Sequence, residues 1–293
     1  MALTINTNLS SMIVQQNLAK STTQLNSAIE RMTTGFKINH ASDNAAGYSI
    51  ARNWEAKLGS LDVAADNAAT GADMLSTLED NYALISSHVQ RVRDLTEQAS
   101  NGTYGEDSKK AIQSEIQARL DEIDRIAANC EFNGINMMAG TGTAATSGLD
   151  IQVGVDGDKD RSRIHLDKDL FASGKVSGGL FSTADATDLA KRCAGLETGE
   201  GKTAQEQLAK IDAVINKIST RITTLGAAQN RIESAVESIG VQSENITSSL
   251  STLRDADVAT ESSNYIKAQI LQQASATLLA TANQTPSIAL NLL

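Results

Sequence analysis

Apolar residues recur along this chain in steps of three and four. From Trp54 they fall at Leu58, Leu61, Ala65, Ala68, Ala72 and Leu75, and after a phase change at Leu78 they resume through Tyr82, Ile85, Val89 and Val92. A later segment repeats the pattern at Leu208, Ile211, Ile215, Ile218, Ile222 and Leu225, then at Ile232, Val236 and Ile239, with Gln229 filling the seam. Such 3-4 stepping is the apolar seam of a coiled coil, sustained here well beyond an ordinary globular helix. One helix over residues 48–100 would be about 80 Å long at roughly 1.5 Å per residue. The two segments match in length and lie far apart in sequence, so they are expected to bury their seams as an antiparallel pair. A shorter helix is predicted from Ser108 to Asn129, with Ile112, Ile116, Leu120, Ile123 and Ile126 on one side. Its leader SNGTYGEDS carries an Asn-Gly turn signal and a Ser/Asp start, so this helix folds back on the first.

The pattern changes over 139–201. Eleven of the chain's 20 glycines fall there, among short alternating runs such as LDIQVGV and RIHL separated by DGDKD. These predict a small antiparallel β element within loops. The tract from Asp156 to Asp167 places Asp156, Asp158 and Asp160 like the start of a calcium loop. Arg161 occupies the place that needs glycine, and strands rather than helices flank the tract, so a solvated acidic turn is the better reading.

The ends differ again. Residues 1–29 carry one charge, Lys20, and residues 262–293 carry one, Lys267. Leu18, Leu25, Ile29 and Met32 keep heptad-compatible steps near the first end, and Tyr265, Ala268, Leu271, Ala274 and Leu278 do so near the last. Each end is thus an amphipathic helix with an amide and hydroxyl face. A helix lying on lipid would carry Lys and Arg there, so no membrane insertion is expected. The two ends are expected to pair with each other. Such a pair would still expose flanks low in charge, which favours further association.

Composition narrows the function classes. A single proline, Pro286, means that little interrupts the helices. A formal charge of −10 with no basic patch argues against nucleic acid. Two cysteines, Cys130 and Cys193, are too few for a disulfide framework and lack metal-site spacing. No apolar run reaches the roughly 20 residues of a membrane span, and no signal-peptide pattern is evident at the N-terminus. On those rules alone the chain would be cytoplasmic. His40, His88 and His165 lie in unrelated contexts, and no HExxH, P-loop, GxGxxG or GxSxG is present. Glu115, Asp121 and Glu122 sit near Arg119 and Arg125 as solvated ion pairs. The expectation is a protein that is not an enzyme and uses no cofactor or metal.

Five motifs then resemble bacterial flagellin in the family's order: INTN (Ile5–Asn8), TGFKINHASDNAAGYSIA (Thr34–Ala51), QRVRDLTEQASNGT (Gln90–Thr103), IQSEIQARLDEIDRIA with FNG (Ile112–Ala127 and Phe132–Gly134), and QILQQASATLLATANQ near the end. They cover about residues 1–138 and 204–293. The glycine-rich middle corresponds to the family's variable part and is short, which implies a form lacking the outer domains. The fold implied is mostly α: a long antiparallel coiled-coil rod with a small β-hairpin element, plus terminal helices that pair in the assembled filament. In domain terms this reads as a core helix over 1–33, a spoke or linker over 34–47, half of the rod over 48–138, a variable region over 139–203, the rod's C-terminal helix over 204–254 and a second core helix over 255–293.

The resemblance also implies a function. It is that of a subunit that self-assembles into the extracellular flagellar filament, exported through the flagellum's own channel without a cleaved signal; this replaces the cytoplasmic expectation. Both ends would be unfolded in the monomer and helical in the polymer. Filament-core packing would fall to Leu18, Leu25, Ile29, Met32, Tyr265, Leu271 and Leu278. Gly35, Ile38, Asn39, Asp43 and Gly47 match the spoke, with Asp43 also readable as a helix N-cap. Arg91, Leu95 and Glu115 match positions that touch the vertebrate Toll-like receptor for flagellin, or that pack subunits, and helical spacing would put the first two on one surface strip. Further implied partners are an export chaperone at the C-terminal segment, the filament cap and the hook-junction proteins. The alternatives are a hook–filament junction protein and a secreted coiled-coil binding module or adhesin.

Overall fold

The computed structural model describes residues 8–183, 185 and 204–290. The chain divides into two compact units, one built from Met1–Leu58 with Glu244–Leu293 and the other from Gly59–Ser243. The two longest helices, α2 (Ala45–Ser100) and α6 (Ala204–Arg254), each contribute to both units.

In the unit formed by the two chain ends, α1 (Leu9–Thr34) packs along α7 (Val258–Leu290). The pairing is antiparallel: the Asn8 side chain donates to the Ala282 carbonyl at 2.7 Å, Gln272 to the Thr22 hydroxyl at 3.2 Å, and Arg31 meets Glu261 at 3.4 Å. Asn8 also caps α1 by accepting from the Ser11 N–H. Gly35 ends the helix at φ 75°, a left-handed conformation that glycine adopts without Cβ strain, and its N–H reaches the Arg31 carbonyl. The seam is made of small and polar residues, with Ser21, Ala28, Ala268, Ser275 and Glu261 buried.

The larger apolar residues divide between seam edge and flank. Leu18, Leu25 and Tyr265 are half-buried. Ile29, Met32, Leu271 and Leu278 are 44, 37, 42 and 57 % exposed. The expected stripe through Leu271, Ala274 and Leu278 is therefore displaced by one position: the buried line runs through Glu261, Ala268 and Ser275, with Tyr265 and Gln272 beside it. Two helices alone cover only a narrow strip of each other, and small residues let the axes approach while the bulkier side chains stand outside.

The other unit holds the hydrophobic core. Here α2 and α6 run antiparallel, tied by Arg93 to Asp212 at 2.7 Å, Arg221 to the Tyr82 hydroxyl at 3.2 Å and Gln229 to Glu79 at 2.9 Å. The α2 seam is buried from Leu75 through Leu78, Tyr82, Ile85, Val89 and Val92. The third helix, α3 (Glu106–Asn129), buries Ile112, Ile116, Leu120, Ile123 and Ile126 as its spacing predicts.

The α6 seam departs from the sequence reading. Its buried positions are Ile211, Val214, Ile218, Arg221, Leu225, Ala228 and Ile232, while Ile215 and Ile222 are half-buried and Val236 is 40 % exposed. The 3-4 path thus passes through a charged residue, Arg221. Following only apolar residues shifts it onto the shoulder and carries it out to Val236.

Two small hairpins complete this unit. β1 (Glu131–Phe132) and β2 (Ile135–Asn136) join through Asn133 at φ 48° and Gly134 at φ 80°, the paired left-handed residues of a tight hairpin turn. β3 (Leu149–Gln152) pairs antiparallel with β4 (Arg163–Leu166), in the two alternating runs that predicted strands. Short helices α4 (Thr143–Ser147) and α5 (Lys159–Ser162) and a 3-10 turn (Lys168–Phe171) lie around them.

Candidate functional site

The α1–α7 pair is the most unusual surface in the chain. Leu9, Met12 and Ile13 on α1 are 67, 63 and 51 % exposed, and Ile266 and Ile270 on α7 are 51 and 59 % exposed. Large apolar side chains are thus left open to solvent on helices that carry few charges.

The two connections leading into this pair lie side by side. Phe36 and Asp255 form an antiparallel bridge. The Lys37 N–H donates to the Arg254 carbonyl at 2.7 Å, the Ala256 N–H to the Gly35 carbonyl at 2.8 Å, and Lys37 Nζ to the Thr252 carbonyl at 2.8 Å. Arg254 closes the crossing: its guanidinium lies 4.0 Å from the Phe36 ring centre and pairs with Glu55. No periodicity argument singled out Arg254 or Phe36. The available signals were an arginine ending a long helix just before Asp255, and one of only four phenylalanines in the chain.

Of the predicted spoke residues, Gly35 ends α1, Ile38 is 5 % exposed, and the Asn39 amide donates to the Phe36 carbonyl. Gly47 is packed so closely that a Cβ would come within 2.9 Å of both Ile38 Cδ1 and Asn44 Nδ2. Asp43 does not cap α2. It accepts from the Asn39 and His40 N–H groups at 3.1 and 3.0 Å, tightening the loop, and Asn44 caps the helix by accepting from the Gly47 N–H at 2.9 Å.

Those two amides, His40 first and Asn39 second, hold the Asp43 carboxyl below its ordinary value. A lowered folded-state pKa contributes stability above the unfolded value of about 3.9 and loses it as the pH falls through the lower folded value. Asp43→Ala should therefore narrow the gap between melting temperatures at pH 7 and below about pH 3, relative to the parent. A gap of unchanged size would show that the loop bonds do not couple to stability.

Arg91 and Glu115 form an exposed ion pair between α2 and α3, with Arg91 Nε and Nη2 donating to Glu115 Oε1 at 3.1 and 3.0 Å. Leu95 is 1 % exposed and belongs to the core. The expected surface strip of Arg91 with Leu95 is not formed: α2 is covered on two sides, and the arc holding Leu95 faces inward while Arg91 stands at the rim. Arg119 reaches the same pair, 3.8 Å from Glu115.

Arg221 is a buried charge with no ion pair to a carboxylate among the described residues. Its Nη1 donates to the Tyr82 hydroxyl and to the Ala172 and Ser173 carbonyls, and Tyr82 donates to the Leu170 carbonyl at 3.1 Å. These bonds all end on neutral oxygens, so the network ties the 3-10 turn and the residues after it to α2 and α6. The Cys130 thiol is pushed up to about 11 by burial, which keeps it protonated at neutral pH. Cys193 lies outside the described residues. Among the described residues no group of three or more His, Cys, Asp or Glu could hold a metal ion, and no helix is long and apolar enough to cross a membrane.

Long paired helices around an aliphatic core, with an open apolar flank, define a protein of the coiled-coil class. The bacterial flagellin N-terminal helical region matches residues 5–143, and the bacterial flagellin C-terminal helical region matches residues 208–293. A flagellin of Xenorhabdus nematophila is 36 % identical over 319 residues, covering 100 % of both chains. The flagellar filament 33 kDa core protein of Treponema phagedenis is 31 % identical over 295 residues, covering 99 % of each. A solved structure from Vibrio parahaemolyticus described as a flagellar hook-associated protein shares the fold, at TM-score 0.59 and 15 % identity over 73 % of this chain and 100 % of that one. The chain belongs to the bacterial flagellin family, whose members are structural subunits of the flagellar filament and not enzymes.

Proposed function

We propose that this chain polymerises into an extracellular flagellar filament through the exposed flanks of the α1–α7 pair. The observation that carries this reading is the set of large apolar residues left open on helices that carry few charges. Residues 1–33 and 255–293 form the inner core of the filament, 34–47 the spoke, 48–138 and 204–254 the rod, and 139–203 the variable region. Leu18, Leu25 and Tyr265 hold the pair together, while Ile29, Met32, Leu271 and Leu278 pack against neighbouring subunits. The chain leaves the cell without a cleaved signal, escorted by an export chaperone at its C-terminal segment, and meets the cap and hook-junction proteins at the filament ends. The test is seeded polymerisation followed by electron microscopy. Long helical fibres are expected, and a persistent monomer under seeding would overturn the reading.

In the monomer, the exposed Arg91–Glu115 pair is the part of the receptor reading that remains on the surface. Arg91→Ala should weaken activation of the vertebrate Toll-like receptor by monomer while leaving the fold unchanged, since exposed ion pairs contribute about 0–1 kcal/mol. Full activation by the mutant would remove Arg91 from any receptor surface.

A further inference from the structure

A shallow, open cleft of about 460 Å³ lies between the β3–β4 hairpin and α6, lined by Arg161, Arg163, Arg231, Asn230 and Ser234 among others. Two of the arginines are held in place from within. Arg163 donates to Gln152 Oε1 at 3.0 Å and lies 3.6 Å from Asp150, and Arg161 lies 3.9 Å from Asp158. Arg231 is exposed and forms no ion pair among the described residues. The lining of the cleft carries these three guanidiniums and no carboxylate, in a chain of formal charge −10. Guanidinium is also the side-chain group best shaped to take a carboxylate in two parallel hydrogen bonds.

The same unit carries the complementary surface. Asp62, Asp66, Asp73 and Asp80 are all exposed on α2 and make no ion pair among the described residues. Their spacings of 4, 7 and 7 keep them on one narrow strip of a helix turning every 3.6 residues, spanning about 27 Å at roughly 1.5 Å per residue. The buried positions Leu61, Ala68 and Leu75 face the other way. Cleft and strip thus present opposite charges to solvent, the condition for head-to-tail contact between identical chains.

We infer that the Arg161–Arg163–Arg231 cleft docks the aspartate strip of α2 from a second copy of this chain, an inference that rests on the filament reading and names one contact within it. The cleft carries the specificity, and the strip supplies the carboxylates. Because the groups stay near solvent, the contact weakens as salt rises.

The test compares three full-length proteins in seeded polymerisation: the parent, Arg231→Glu, and the charge-swapped double variant Arg231→Glu with Asp73→Arg. Arg231→Glu should raise the critical concentration about tenfold, and the double variant should recover most of that loss. Both positions are exposed, and matching circular dichroism melts would verify that the fold is kept. Assembly of Arg231→Glu at the parent's critical concentration would overturn the docking, and so would a double variant no better than the single one. Normal assembly of Arg231→Glu with lost retention on a heparin column would assign the cleft to a soluble polyanion instead. Failure of the parent itself to polymerise would count against the filament reading, so the two failures are distinguishable.

Discussion

Removing residues 262–293 should abolish polymerisation completely while the unit spanning Gly59–Ser243 stays folded. The deletion takes away most of α7, the helix that α1 packs along. An amphipathic helix without a partner cannot offset the entropy of its own ordering, so α1 would become unstructured as well. The exposed apolar flanks on both helices would disappear together: Ile266, Ile270, Leu271 and Leu278 by deletion, Leu9, Met12 and Ile13 by loss of their scaffold. No member of the hydrophobic core cluster lies beyond Ile232, so the rod core loses nothing. Seeded polymerisation, light scattering and electron microscopy measure the first outcome. A thermal melt measures the second, with a core transition within about 2 °C of the parent. Normal filaments from the shortened chain would refute the assembly role of α7.

How much of this was legible beforehand depended on whether hydrophobicity alone sets a position. Along α2 and α3 it does: seam residues such as Leu78, Ile85, Ile116 and Ile123 are fully buried, and simple spacing locates them. The β3–β4 hairpin was equally readable, because alternation and a charged turn both point to it. Spacing failed where a polar residue occupies the seam. Arg221 interrupts the apolar path of α6, and Ser275 with Glu261 interrupts that of α7; in each case the eye follows the nearest aliphatic residues onto the shoulder. The crossing of the two linkers was invisible for another reason. Arg254, Glu55, Phe36 and Lys37 meet through contacts of about 200 residues' separation, and no local pattern encodes which distant backbone a side chain will find.

Leu95→Ala should lower the stability of the rod unit by about 2–5 kcal/mol, the range for deleting a buried leucine side chain to alanine. Helical spacing alone puts Leu95 one turn beyond Arg91 and suggests a shared surface strip, yet Leu95 is 1 % exposed and lies in the core with Val92, Ala99 and Ile116. For a unit of this size each kcal/mol moves the melting temperature by roughly 2–4 °C, so a fall of roughly 4–20 °C is expected. Arg91→Ala, one turn away, should move it by less than about 4 °C, because its ion pair with Glu115 is exposed and screened. The contrast between the two neighbours decides between surface and core more sharply than either variant alone. It also changes how a receptor assay on Leu95→Ala must be read: lost activation would follow from a loosened α2–α3 packing that displaces Arg91, with no contact between Leu95 and the receptor. Equal, small shifts for both variants would return Leu95 to the surface and restore the strip that helical spacing suggested.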